Sequence, residues 1–166
     1  MIRAVRRLQN LFRHRSRSDK ELIRAIRTIT GFAPLQLRIY KLALIHSSIA
    51  RQHSSGMKES NERLEYLGDA VLGACVADFL FKKYPFKDEG FLTEIRSRLV
   101  NREALNTLGR KLGINTLVKF DRKKKGRMSH KSLYGDTLEA LIGAVYLDHG
   151  FNRCNQFILA RLIQPY

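Results

Sequence analysis

The chain has no apolar run approaching the roughly 20 residues needed to span a bilayer, which excludes a membrane-spanning helix. It has two cysteines, Cys75 and Cys154, far apart and matching no metal or redox spacing. They read as two reduced core thiols of a cytoplasmic protein. No histidine spacing suggests a soft-metal centre, so His46, His130 and His149 are assigned to structure or surface. Internal repeats and low-complexity tracts are absent. Acids are scarce: 15 Asp and Glu stand against 31 Lys and Arg, giving a net charge of +16 and a pI near 10.4. That imbalance points to a polyanionic partner. Nucleic acid is the first candidate and an anionic membrane the second, and the bland alternative is a merely soluble basic protein. Composition does not separate DNA from RNA.

What remains is ordinary globular material. The 166 residues fit one domain with a sizeable core, at 44% hydrophobic and 28% charged residues. The first 18 residues, MIRAVRRLQNLFRHRSRS, hold six arginines and no acid. Ile2, Val5, Leu8 and Phe12 fall on one helical face, which suits either an organelle-targeting peptide or an arm for nucleic-acid backbone. The preferred reading is a basic, poorly ordered extension over 1–18, with the domain occupying 19–166.

Helix signals fill the rest. Asp19 predicts an N-cap, with Leu22, Ile23, Ile26 and Ile29 leading to Gly31. A second helix follows Pro34. SSIARQHSSGMKES has the Ser and Gly content of a loop. A long helix is predicted from about Asn61 to Tyr84, before Pro85. DEG at 88–90 reads as a turn, and helices follow over Phe91–Val100 and Ala104–Leu112. INTLVKF at 114–120 has strand character but no partner, so the expected class is all-α, with seven to nine helices. The loop DRKKKGRMSHK then precedes LYGDTLEALIGAVYLDHG and a last amphipathic segment, FNRCNQFILARLI.

One stretch conflicts with folding alone. In NERLEYLGDAVLG, with Glu62 set to zero at 100° per residue, Glu65 falls near −60° and Asp69 near −20°. Leu64, Leu67, Val71 and Ala74 cluster between about 120° and 200°. Like charges so placed cost about 0.2–0.5 kcal/mol per pair on an exposed helix, and more when buried. The pattern recurs in GDTLEALIGAVYLD, where Asp136 and Glu139 share a face opposite Leu138, Leu141, Ile142 and Val145. Gly73 and Gly143 continue the two acid stripes and permit close helix packing. Facing stripes would gather four carboxylates at one point. A hard divalent cation such as Mg²⁺ resolves their repulsion, and such an ion activates water for attack on phosphorus. An acidic, metal-loaded point on a basic body is the layout of a nuclease. The competing reading pairs these acids with Arg63, Arg96, Arg98 or Arg102 as solvated salt bridges.

NERLEYLGDAVLG resembles the signature of the ribonuclease III family, usually NERLEFLGDAVL. ALIHSS at 43–48, DEG at 88–90 followed by LTEIRSRLVNREAL, and GDTLEALIGAVYLD at 135–148 resemble its other blocks in the same order, over roughly residues 20–164. The resemblance implies an all-α endonuclease domain that forms a homodimer and cleaves double-stranded RNA. It assigns metal binding to Glu65, Asp69, Asp136 and Glu139, with Asp69 and Glu139 the catalytic pair. The metal is Mg²⁺, with Mn²⁺ as substitute. All four acids are present, unlike in inactive relatives. Glu62 matches a supporting acid and Glu89 one that projects into the cleft toward RNA. Tyr66 replaces a phenylalanine that inserts into the partner subunit. Arg122, Lys123, Lys124, Lys125, Arg127 and Lys131 are expected to contact duplex phosphates without reading sequence.

The expected products carry 5′-phosphate and 3′-hydroxyl ends with a short 3′ overhang, in maturation of rRNA or mRNA. The alternative is a relative that holds double-stranded RNA without cutting it, in ribosome or RNP assembly. Full-length bacterial members carry an RNA-binding domain after the nuclease domain. The chain is therefore expected to be cut in the linker after its last helix, or else to be naturally single-domain.

Overall fold

A computed structural model describes residues 16–52, 56, 58–121 and 132–163. Among these are seven α-helices: α1 Arg17–Thr30, α2 Leu37–Ala43, α3 Glu62–Lys83, α4 Glu89–Leu99, α5 Arg102–Lys111, α6 Leu133–His149 and α7 Phe151–Ile158. The all-α expectation holds. None of these helices is long and apolar enough to cross a membrane.

Several boundaries differ from those expected, each for a local reason. Helix α1 begins at Arg17, because the Ser16 hydroxyl, not Asp19, caps it by accepting from the Asp19 N–H at 3.1 Å. Residues 16–18 thus form the cap and first turn of α1, and residues 1–15 lie outside the described part. Asp19 sits in the first turn and pairs with Lys41 at 2.6 Å. Gly31, at φ 84°, ends the helix in the left-handed conformation that glycine adopts without strain. The DEG segment is a helix start, not a free turn: Asp88 Oδ1 accepts from the Phe91 N–H at 2.9 Å, and Glu89 opens α4. The serine-rich loop holds a 3₁₀ turn, Ser47–Ile49, and a minimal antiparallel pair of β1 Arg51–Gln52 with β2 Lys58–Glu59. INTLVKF is not a strand. It opens with a 3₁₀ turn, Ile114–Thr116, and touches Ile45 through one parallel bridge at Lys119.

Helix α6 is the axis of the molecule. Leu138, Leu141, Ile142 and Val145 are fully buried, and α3, α5, α7 and α2 pack around it. A helix that is apolar on nearly every side belongs inside. At its C-terminal end the buried Asp148 carboxylate accepts from the Leu35 and Gln36 N–H groups at 2.8 and 3.0 Å and from the Tyr40 hydroxyl at 3.1 Å, which locks the start of α2. Burial, then the nearby Asp148 charge, pushes the Tyr40 hydroxyl pKa up. Cys75 and Cys154 are free and buried in the core, as expected. Burial raises their thiol pKa values to about 11 and about 12.

Helix α3 corrects the wheel at two points. Leu64 and Val71 are buried and Leu67 is half-buried, but Ala74 is exposed. The glycine that meets α6 is Gly68, not Gly73. A Cβ on Gly68 would overlap the Glu139 carbonyl oxygen, and one on Gly143 would overlap the Leu64 carbonyl oxygen. The two helices therefore run antiparallel with their backbones in contact. Gly73 lies instead under the Arg96 guanidinium.

Candidate active site

The glycine contact sets the site. On α3, Gly68 lies at about 240° on the wheel used above, beside Glu65 at about 300°. Backbone contact at Gly68 therefore brings the acid stripe of α3 alongside Glu139. The start of α6 is fixed from a third side by α5. Asn106 Oδ1 accepts from the N–H groups of Tyr134 and Gly135 at 3.0 and 3.3 Å. A Cβ on Gly109 would come within 2.5 Å of the Tyr134 carbonyl oxygen, so this helix pair is also in close approach.

Three of the expected ligands converge. Carboxylate oxygens of Glu65, Asp136 and Glu139 all lie within 4.8 Å of one another, on half-buried side chains. Asp69 is more exposed and stands outside that triplet, but lines the same pocket of about 470 Å³ together with Glu62 and Tyr66. Two of the acids are oriented by serines: Ser132 Oγ donates to Asp136 Oδ2 at 2.7 Å, and Ser60 Oγ donates to Glu62 Oε2 at 2.9 Å.

The electrostatics are those of an uncompensated acid cluster. Burial, then Asp136, Glu62 and Asp69, pushes the Glu65 pKa up to about 7, opposed by Arg102. Burial, then Asp69, Glu65 and Asp136, pushes Glu139 up to about 8, again opposed by Arg102. Of the arginines considered as salt-bridge partners, Arg98 pairs with Glu94 and Arg96 covers Gly73. Arg102 lines the pocket without closing an ion pair to any of its acids. Convergent, hard oxygen donors that repel one another are the donor set a Mg²⁺-class ion takes. The residues fit such an ion.

The remaining expected residues separate from this point. Glu89 is exposed at the start of α4 and accepts from the Thr93 hydroxyl at 2.8 Å; it is not among the residues lining the pocket. Tyr66 is 82% exposed at the pocket edge, so it is not in its own subunit's core. His46 is structural, with its Nδ1 2.9 Å from Ser48 Oγ. Arg122, Lys123, Lys124, Lys125, Arg127, His130 and Lys131 lie outside the described residues. The parts that hold the acids in place are not evident from the sequence pattern. Gly68 was visible as a glycine inside the motif, but Asn106, Ser60 and Ser132 carried no signal without knowing which helices meet.

A family model described as Ribonuclease-III-like matches residues 37–166. The chain is 44% identical over 147 residues to ribonuclease 3 of Azobacteroides pseudotrichonymphae, covering 89% of this chain and 55% of that protein. It is 43% identical over 150 residues to ribonuclease 3 of Bacteroides fragilis, covering 90% and 51%. The chain thus spans about half the length of these relatives. A crystal structure of the nuclease domain of ribonuclease III from Campylobacter jejuni superposes with a TM-score of 0.74 at 28% identity, over 87% of this chain and 95% of that one. A second structure of that domain, described for flexibility in a region involved in dimer formation, gives a TM-score of 0.75 over 87% and 98%.

Proposed function

This chain belongs to the ribonuclease III family, and on that premise we propose that it is an endoribonuclease that hydrolyses phosphodiester bonds of double-stranded RNA. The observation that carries the reading is the convergence of Glu65 from α3 with Asp136 and Glu139 from α6. Two separately encoded acid motifs meet where folding alone would keep them apart.

Glu65, Asp69, Asp136 and Glu139 would hold Mg²⁺, with Mn²⁺ as substitute. When bound, the ion neutralises charge on the phosphate and lowers the pKa of the attacking water. The protein's part is positioning. Ser132 turns Asp136 into the pocket, Asn106 fixes the helix start that carries it, and Gly68 sets the distance between the two acid pairs. Glu62 supports the cluster from its edge, and Glu89 awaits RNA outside the pocket. In a homodimer each subunit would cut one strand, leaving 5′-phosphate and 3′-hydroxyl ends with a short 3′ overhang. We place this activity in the cytoplasm, in maturation of rRNA or mRNA.

The test is cleavage of a perfectly paired RNA duplex at low salt with Mg²⁺ or Mn²⁺. Wild-type protein should cut it, and Glu139→Ala should abolish cutting while keeping the helical spectrum and most RNA affinity. A variant cutting at the wild-type rate would overturn the assignment. Wild-type protein that binds the duplex but leaves it whole would favour the RNA-holding alternative.

A further inference from the structure

The carboxylates leave one residue of the pocket unexplained. Arg102 is the first residue of α5, directly after the Asn101 cap. There the helix presents unpaired N–H groups, and a cation is on the unfavourable side of the helix dipole. Folding supplies no reason for an arginine at this position. Its side chain is exposed and makes no ion pair or hydrogen bond among the described residues. Yet it lines the pocket with Glu62, Glu65, Asp69, Asp136 and Glu139, and is the one cation among the described residues that do so.

Its backbone is firmly held. Asn101 Oδ1 accepts from the Ala104 N–H at 2.8 Å, and Asn101 Nδ2 donates to the Arg98 carbonyl at 3.0 Å. Asn106 then ties the same helix to the start of α6. Arg102 therefore stands on the framework that carries Asp136, with its donor fork uncommitted. An RNA phosphate approaching this acid-lined pocket needs a donor of positive charge, and a guanidinium matches a phosphate's oxygens in two-point contact.

We propose that Arg102 is a phosphate-positioning residue, its guanidinium taking the non-bridging oxygens of an RNA backbone phosphate at the pocket and setting the duplex in register with the carboxylates. The ligand follows from the endoribonuclease reading, but the contact can be measured without cutting. The competing role, a resident counter-cation that relieves the acids until metal arrives, predicts a different result.

The experiment compares wild type, Arg102→Gln and Arg102→Lys, after matching melting temperatures establish that all three are folded. Binding of a paired RNA hairpin is followed in EDTA across a salt series. Arg102→Gln should lower the slope of log affinity against log salt by about one, the loss of one phosphate contact. Arg102→Lys should keep the slope, because the charge remains. In Mg²⁺ under single turnover, half-saturation by RNA should rise about tenfold or more in Arg102→Gln, beyond any fall in the maximal rate, with partial recovery in Arg102→Lys. Unchanged slope and half-saturation in Arg102→Gln would overturn the proposal, as would tighter Mn²⁺ binding with an unchanged slope, which assigns the counter-cation role. Wild-type protein that fails to cut would sink the endoribonuclease reading alone, since the salt slopes still decide Arg102.

Discussion

At the scale of single residues, the site is defined by two glutamates whose protons are held too tightly. Glu139 at about 8 and Glu65 at about 7 ionise well above the 4.5 of an unhindered glutamate, first through burial and then through the neighbouring carboxylates: Asp69, Glu65 and Asp136 for Glu139, and Asp136, Glu62 and Asp69 for Glu65. Their folded-state pKa values are raised, so their contribution to stability is complete below about pH 4.5. It is lost as pH rises through about 7 and 8, where the folded protein must ionise into its own repulsion. In EDTA the melting temperature should therefore fall between pH 5.5 and 8.5. A few degrees is the expected size, given about 2–4 °C per kcal/mol for a chain of this length and the solvent screening of half-exposed groups. Glu139→Gln should remove much of the fall. A divalent cation displaces the same protons, so its binding should tighten with pH and release protons at pH 6.5, measurable by calorimetry in two buffers of different ionisation heat. A melting temperature in EDTA that is flat across this range would show that the acids do not crowd one another.

At the scale of helices, what matters is a close approach and not a side chain. Gly68→Ala places a methyl group on the Glu139 carbonyl oxygen, where only backbone can yield, so α3 and α6 must separate. Overpacking of this kind costs roughly 1–3 kcal/mol or more, and the same shift pulls Glu65 from Glu139. Urea denaturation should show the loss, and Mn²⁺ titration a weakened site. Gly73→Ala is the control: its methyl meets only the far end of the Arg96 side chain, 2.6 Å away, which can swing aside. Alanine's better helix propensity, worth about 1 kcal/mol, makes that change neutral or stabilising. Equal destabilisation by both would refute the assigned contact. This pair also marks how far the sequence was legible. A long helix from about Asn61 to Tyr84, ended by Pro85, came within a residue of α3 at either end. The acid stripes and the buried face of α6 followed from periodicity. The point of contact did not, because a wheel counts side chains and Gly68 has none. Ala74, at about 120° the edge of the expected apolar arc, was drawn into a core it does not enter. Arg102 was visible only as a possible salt-bridge partner, since its pocket exists only once α5 packs on α6.

At the scale of the whole molecule, the placement of apolar surface argues for a second subunit. Tyr66, Ala70, Ala74, Ala77 and Phe81 recur at helical spacing on α3 and all are exposed, with Tyr66 at 82% and Phe81 at 71%. They span about 80° of the helix, a continuous stripe. Phe86, just beyond α3, is 98% exposed. Helix α4 packs on α3 but buries no residue fully, although it carries Phe91, Leu92, Ile95 and Leu99. Among the described residues nothing covers this face, and apolar patches of such extent mark interaction sites. The stripe runs directly into the acid pocket at Tyr66, so a partner seated on it would border the site and bring a second one into fixed relation with the first. Phe81→Asp tests this without touching the pocket, since Phe81 lies about 22 Å along the helix from Tyr66. Wild-type protein should sediment as a dimer at micromolar concentration and Phe81→Asp as a monomer of unchanged helicity. The monomer should still bind Mn²⁺, because Glu65, Asp136 and Glu139 all come from one chain. It should lose paired cuts across a duplex, which need two sites at one spacing. A wild-type monomer at those concentrations would refute the second subunit, and Tyr66 would then be a rim residue of a single-site enzyme.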